Sequence, residues 1–338
     1  MQADSAQQST SKSREYLGLL AALAALVVIF GLQSEYFWSS LTFTTLANQI
    51  PSLTVIAVGM TFVLIIAGID LSVGSVMALS GSVLGLAIMD LSAPLWVAGL
   101  LCLATGLACG AFNGFVVTRW GVPSFIVTLG MLEIARGGAY LVTDSQTKYI
   151  GASVESISAP LPGINLSPAL FLAVLVVIIG QIVLSRTVFG RRLVAVGTNE
   201  EAVHLSGINV NHLKLAVFML AGALAALGGL FHVGYLQSAD PNAGIGLELA
   251  AIAAVVVGGT SLSGGKGSVV NTFLGVLIIA VLQTGLAQIG ASEPTKRVIT
   301  GLVIIAAVIL DVYRNRRYGL GDYFKKVFGW PAIHDGSN

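Results

Sequence analysis

Long apolar runs separated by short polar segments dominate the pattern along the chain. A helix needs about 20 residues to cross the hydrocarbon core of a bilayer, and every backbone N–H and C=O group in lipid must be paired within the protein. The uninterrupted length of the runs argues against a β-barrel, whose strands show short alternating segments. The pattern predicts an all-α integral membrane protein, a polytopic bundle of about ten transmembrane helices. These spans are placed at about 15–33, 48–67, 71–89, 94–118, 122–142, 167–185, 214–234, 246–262, 269–289 and 296–312.

Composition supports a membrane protein. Of the 338 residues, 55% are hydrophobic and only 10% are charged, whereas a soluble domain carries about 25% charged residues. Lipid is therefore the natural surrounding of this chain. The formal net charge is +1, and no basic stripe with interleaved aromatic residues is present. The sequence gives no support for a nucleic-acid partner.

The basic residues predict the orientation. If the N-terminus lies inside, thirteen of the 17 Lys and Arg residues fall in cytoplasmic segments, three in outer segments and Arg136 within a span. An excess of Lys and Arg is typical of the cytoplasmic loops of membrane proteins. An even number of spans preserves it, so both termini are predicted in the cytoplasm. The chain then divides into an N-terminal tail (1–14), a transmembrane domain (15–312) and a C-terminal tail (313–338).

The segment 67–75 joins two apolar runs almost without a gap and holds a carboxylate, Asp70. A charge at the centre of a spanning helix costs about 2.5–3.5 kcal/mol. Gly68 and Gly74 permit a broken helix. The side chains of Asp70, Ser72 and Ser75 can cap the backbone groups that such a break frees. Because broken helices often line the path of a transporter, these three residues are candidates for a translocation path. The alternative is a sharp inner hairpin capped by Asp70.

A second group of charges lies within predicted spans. Glu133 and Arg136 are three residues apart, hence on one helix face. They either form a structural pair that locks this helix to a neighbour or line the translocation path. Glu248 is placed near the outer start of the eighth span, where it either lines the external entry or, as the simpler alternative, extends to the membrane interface.

The inner loop 186–213 contains a short helix with a clear start and stop. Asn199 suits the N-cap, and Glu200 and Glu201 occupy the first turn, where the helix dipole favours negative charge. Gly207 suits the left-handed stop. A helix of about two turns is not stable alone, so it needs a partner surface, into which Val203 and Leu205 are available to insert. The residues assigned to this docking element are Gly197, Asn199, Glu200, Glu201, Ala202, Leu205, Ser206 and Gly207.

The glycine-rich segment 258–268 is nearly a phosphate-binding loop. That motif needs glycine at its first position and Ser or Thr at its last. Here these positions hold Thr260 and Gly267, so nucleotide binding is rejected. No His or Cys spacing typical of a metal site and no cluster of nucleophile and base is present. The sequence predicts neither a cofactor nor a metal and no enzymatic activity.

Three motifs together resemble a known family. They are GIDLSVG at 68–74, the G-x-N-E-x-A-x-x-x-S-G-I pattern at 197–208 and G-G-x-S-L-x-G-G at 258–265. In this order they resemble the ribose/xylose/arabinose/galactose-type ABC permeases, which belong to the superfamily that includes branched-chain amino acid permeases. The resemblance covers about residues 15–312.

The resemblance implies a type II importer-like helical fold in a homodimer within the lipid bilayer of a bacterial inner membrane. It also implies a separate cytoplasmic ABC ATPase subunit that hydrolyses the ATP, an extracytoplasmic sugar-binding protein, and import of a ribose-like monosaccharide. The loop 186–213 matches the family's coupling loop. A permease of the same superfamily for an amino acid, nucleoside or signalling molecule stays open. An ion-coupled secondary transporter is the rival class, although it needs more charged relays within the spans.

Overall fold

The computed structural model describes residues 2–315, with side chains described for 16–309. The C-terminal tail therefore lies almost wholly outside the described residues. The helices are α1 (Gln2–Gln33), α2 (Ser40–Gln49), α3 (Pro51–Ile65), α4 (Val73–Met89), α5 (Leu95–Trp120), α6 (Ser124–Thr143), α7 (Glu155–Ser158), α8 (Pro168–Arg186), α9 (Val188–Thr198), α10 (Glu200–Leu205), α11 (Val210–Leu236), α12 (Leu247–Val257), α13 (Val269–Gln288) and α14 (Glu293–Asn315). A 3-10 turn at Gly151–Val154 precedes α7, and two short strands, β1 (Lys148–Tyr149) and β2 (Ser238–Ala239), pair antiparallel. The end of the bundle that carries α9 and α10 is called the inner end, and the end that carries β1 and β2 the outer end.

The all-α polytopic architecture is confirmed, but the count of ten spans is not. Within the described residues six helices are long and apolar enough to cross a membrane, or seven if α2 and α3, which meet at 44°, form one bent span. Of the three remaining predicted spans, the one at 296–312 falls in α14, whose side chains are described only to residue 309, and the other two are too short. The 17 residues of α4 extend about 25 Å and the 11 residues of α12 about 16 Å, against a core of about 30 Å.

Beside α3, 14 of whose 15 residues are buried, the centre of the bundle holds α11. Its span is 61% buried, whereas that of α1 is 6% buried, so α11 is surrounded by protein and α1 lies at the edge. Glycines bring α5 and α11 together: a methyl group added at Gly106 would overlap the Gly222 carbonyl, and one at Gly110 the Phe218 carbonyl. Without a hydrophobic force between helices in lipid, such close backbone approach is a main source of packing energy.

Two non-helical segments lie inside the bundle. The first, 66–72, joins α3 to α4; the second, 237–246, joins α11 to α12. The second segment descends beside α4, because Ala239 contacts Gly85 and Gly244 contacts Gly74. These two glycines are eleven helical residues apart, about 16 Å along the axis. Irregular backbone at such depth is tolerated only where protein or a wet cavity surrounds it.

Candidate translocation and coupling site

The break between α3 and α4 begins with a left-handed residue. This residue is Ala67, with φ +57°, rather than one of the flanking glycines on which the sequence argument relied. The N–H of Gly68 donates to the carbonyl of Val63 (2.9 Å), which is the long hydrogen bond that closes a Schellman stop. A left-handed non-glycine residue costs about 1–2 kcal/mol, so surrounding contacts must hold the break in place.

Helix α6 supplies those contacts. The N–H of Ile69 donates to Ser124 Oγ (2.9 Å), and the N–H of Leu71 donates to Thr128 Oγ1 (3.1 Å). The spacing fits because two extended residues rise about 6.6 Å and four helical residues rise about 6 Å. Two of the backbone donors freed by the break, those of Ile69 and Leu71, therefore meet hydroxyls at the same height on α6.

The polar residues of the break form a buried network. Asp70 Oδ1 accepts hydrogen bonds from the N–H (2.9 Å) and the hydroxyl (2.6 Å) of Ser72. The Asn113 amide on α5 donates to Ser72 Oγ (3.1 Å). Asp70 and Ser72 are each 1% exposed and Ser75 is 2% exposed. The Asp70 carboxylate thus caps its own turn, and in this conformation a solute does not reach the three side chains.

Glu133 and Arg136 share α6 but do not form an ion pair within 4.0 Å in the described part of the chain. Glu133 is exposed on the surface of α6. The Arg136 guanidinium donates to the backbone carbonyls of Pro241 and Ala243, the second at 2.9 Å. A structural pair between the two charges is therefore absent, and Arg136 anchors the segment 237–246.

The position predicted for Glu248 was wrong. It lies near the inner half of α4, because a methyl group added at Gly74 would contact the Glu248 carboxylate. The chain before it follows the descending segment, where the Tyr140 hydroxyl donates to Asn242 Oδ1 (2.7 Å). Gly244 and Gly246 are left-handed, with φ +72° and +83°. Two glycines so close together before an apolar run are not needed at an ordinary span start. They were the sequence signal for the irregular segment that precedes Glu248.

The short inner helix, α10, has the predicted caps. Asn199 Oδ1 accepts a hydrogen bond from the N–H of Ala202 (3.0 Å), and Gly207 is left-handed, with φ +82°. The Ser206 hydroxyl donates to the carbonyl of Val203 (2.7 Å). The helix has six residues, somewhat shorter than predicted, because Ser206 and Gly207 close it early.

The side chains of α10 divide into two groups. Val203 is 8% exposed and packs in the chain's own core, so it is not available to insert into a partner. The Glu200 carboxylate binds Lys214 at the start of α11 through both oxygens (2.7 Å each). Glu201 and Ala202 are exposed, and Leu205 is 79% exposed. Together with His204, which is also exposed, these last three form the outward surface of α10.

Gly197, the first residue of the coupling pattern, does not face outward. It lies in the last turn of α9, against the end of α3 and the glycine-rich loop 258–268. The N–H of Gly265 donates to the carbonyl of Ile65 (2.9 Å), and a methyl group at Gly197 would overlap both groups. Residues of the second and third sequence motifs therefore meet the end of α3, three residues before the first motif begins, at the inner end of the bundle.

No group of three or more His, Cys, Asp or Glu side chains that could hold a metal occurs among the residues that the structure describes. Cys102 and Cys109 on α5 are free thiols.

The class of protein that this architecture defines is a polytopic membrane permease. The family model described as the permease component of branched-chain amino acid transport systems matches residues 42–308. The chain therefore belongs to this family of permease subunits, which are transport components rather than enzymes.

Curated relatives are similar over nearly their whole length. The chain is 38% identical to the ribose import permease protein RbsC of Escherichia coli (strain K12), over 88% of this chain and 93% of the relative. It is 34% identical to the fructose import permease protein FrcC of Rhizobium meliloti, over 87% and 83%. It is 37% identical to the D-allose transport system permease protein AlsC of Escherichia coli (strain K12), over 87% and 90%. No solved structure matches.

Proposed function

We propose that this chain is the membrane-spanning permease subunit of an ATP-driven importer that moves a monosaccharide into the cytoplasm. The observation that carries the proposal is the similarity to permeases whose names specify ribose, fructose and allose, which covers 83% or more of each relative. Three different sugars among these relatives favour a path that accepts polyhydroxylated rings in general. The choice of sugar then rests with an external sugar-binding protein at the outer end.

The ATPase subunit binds at α10. This helix presents Glu201, Ala202 and Leu205 outward, and the ion pair between Glu200 and Lys214 fixes it to the start of α11. A six-residue helix with capped ends and an exposed leucine suits a groove on another protein. The predicted orientation, with both termini in the cytoplasm, brings α10 to the side where ATP is available.

The translocation path lies between two copies of the chain and is lined by one face of α6. Glu133 is exposed there, and it is flanked by Gly130 and Gly137, where an added methyl group would meet nothing within 4 Å. A carboxylate facing lipid is costly, so this face needs a partner or water. A second copy related by two-fold symmetry supplies the partner, and the carboxylates accept hydrogen bonds from sugar hydroxyls.

Asp70, Ser72 and Ser75 support the path from behind. All three are buried, and the hydrogen bonds of Ser72 to Asp70 and to Asn113 on α5 hold the break that precedes α4. Arg136 supports it in the same way at the descending segment 237–246.

Reconstitution tests this function. The permease is placed in proteoliposomes with its cognate ATPase subunit and binding protein, and uptake of radiolabelled ribose, fructose and allose is measured with and without ATP inside the vesicles. ATP-dependent uptake of at least one sugar is expected, with none for leucine or adenosine. Uptake of an amino acid or nucleoside alone would contradict the sugar assignment. Uptake that persists without the ATPase, and follows an ion gradient, would identify a secondary transporter.

A further inference from the structure

We propose that the glycine-rich loop 258–268 is a mechanical joint that transmits the movement of α10 to the break between α3 and α4. The inference rests on the proposed function, since it assumes that an ATPase moves α10. It assigns a role to the one motif that neither nucleotide binding nor sugar contact explains. Gly197 and Gly265 are the positioning residues of this joint, and α6 is the element that receives the movement.

Three backbones are in direct contact at this joint. The N–H of Gly265 donates to the carbonyl of Ile65, the last residue of α3 (2.9 Å). Gly197 packs on both groups so closely that any side chain would overlap them. Gly264 and Gly265 are left-handed, with φ +83° and +73°, a conformation that turns the loop back toward α9. Direct backbone contact is stiff because no flexible side chain lies between the elements.

The joint lies directly beside the start of α10. Gly197 and Thr198 end α9, Asn199 is the N-cap of α10, and a side chain at Gly265 would contact Thr198. No flexible linker separates α10 from the joint. When a partner displaces α10, the end of α9 moves with it and pushes on Ile65 and Gly265.

The break that follows Ile65 connects the joint to α6, which lines the proposed translocation path. Ile65 is followed directly by the break, whose Ile69 and Leu71 amides bind Ser124 and Thr128 on α6. The same helix exposes Glu133 further along its length. The linkage therefore runs from α10 through Gly197 to Ile65, and from the break to α6. Each contact along it is a backbone packing contact or a hydrogen bond in the described residues.

Substitution separates this role from partner binding and from folding. In Gly197→Ala the end of α9 must move away from Ile65 by about 1 Å, while the exposed surface of α10 is unchanged. The double variant Ser124→Ala, Thr128→Val removes the link from the break to α6 without adding atoms. Gly99→Ala is the control for the first variant, because Gly99 lies in helix α5 with nothing within 4 Å. Thr118→Val is the control for the second, because the Thr118 hydroxyl bonds only within α5.

The measurement is the number of sugar molecules imported per ATP hydrolysed in proteoliposomes that contain the permease, the ATPase subunit and the loaded binding protein. We expect a loss of about tenfold or more in Gly197→Ala and in the double variant, with the ATPase subunit bound as in wild type and both controls within twofold. If Gly197→Ala does not insert in the membrane, the double variant decides the question.

Unchanged import per ATP in a variant that inserts in the membrane would overturn the proposal that the joint transmits movement. Loss of ATPase binding in Gly197→Ala would also overturn it, because Gly197 would then belong to the docking surface. Failure of the proposed function is distinguishable, since wild type would then bind no ATPase subunit or import no sugar with ATP.

Discussion

The exposed leucine of α10 offers a quantitative test of ATPase docking. Leu205 is 79% exposed, although burial of a leucine is worth about 1.5–3 kcal/mol. In the assembled importer we expect it to be covered by the ATPase subunit. The change Leu205→Ala removes three carbons, worth about 0.8 kcal/mol each when buried. Since about four-fifths of the residue is available for burial, the loss is about 1.9 kcal/mol, which raises the Kd for the ATPase subunit about 20-fold.

The assay is a titration of the ATPase subunit against the permease in nanodiscs, read by interferometry. Leu32→Ala is the matched control, because Leu32 is 83% exposed. It lies at the end of α1 opposite the charged N-terminal tail, where the ATPase subunit is not expected to bind. The thermal unfolding of the permease alone should not change in either variant, since neither side chain is buried in this chain. A Kd within threefold of wild type for Leu205→Ala, or an equal weakening by Leu32→Ala, would refute the docking of α10.

Three further outcomes are expected. The double change Glu200→Lys, Glu201→Lys should abolish ATP-driven uptake with normal membrane insertion, and adding Lys214→Glu should restore part of the uptake, because it re-forms the ion pair with reversed charges. No rescue would show that the pair does not position α10. Asn199→Ala should destabilise α10 by about 1 kcal/mol, seen as faster amide exchange in this helix, whereas Asn199→Asp should keep wild-type exchange; equal exchange in all three proteins would contradict the cap. Glu133→Leu should lower uptake about tenfold with the ATPase subunit still bound, and Glu133→Gln, which keeps hydrogen-bonding groups, should lower it less. Wild-type uptake by the leucine variant would remove Glu133 from the path.

The local features of the chain were predictable because they depend on residues that are near in sequence. The Asn199 cap and the left-handed Gly207 involve partners within a few positions, and so does the turn in which Asp70 accepts from Ser72. The fold class followed from the length of the apolar runs. Membership of the permease family followed from three motifs, and the family model confirms it.

The charged residues within the bundle were less predictable. Spacing placed Glu133 and Arg136 on one helix face but could not reveal that Arg136 prefers the carbonyls of Pro241 and Ala243. Nor could it place Glu248 beside Gly74. Hydropathy measures only how apolar a segment is, and the descending segment with the short helix α12 together has about the length of a span. For the same reason the structure does not confirm the count of ten spans.

The sequence by itself determined that this chain is a helical membrane protein, since its apolar length, its scarcity of charge and its cap residues act locally, and its three motifs indicated the permease family. Only the tertiary structure decided that Gly197, Ile65 and Gly265 meet at one point and that α6 binds the break. Those contacts join residues up to 200 positions apart. Their energy comes from backbone groups, which every residue shares, so no residue type in the sequence identifies the partner.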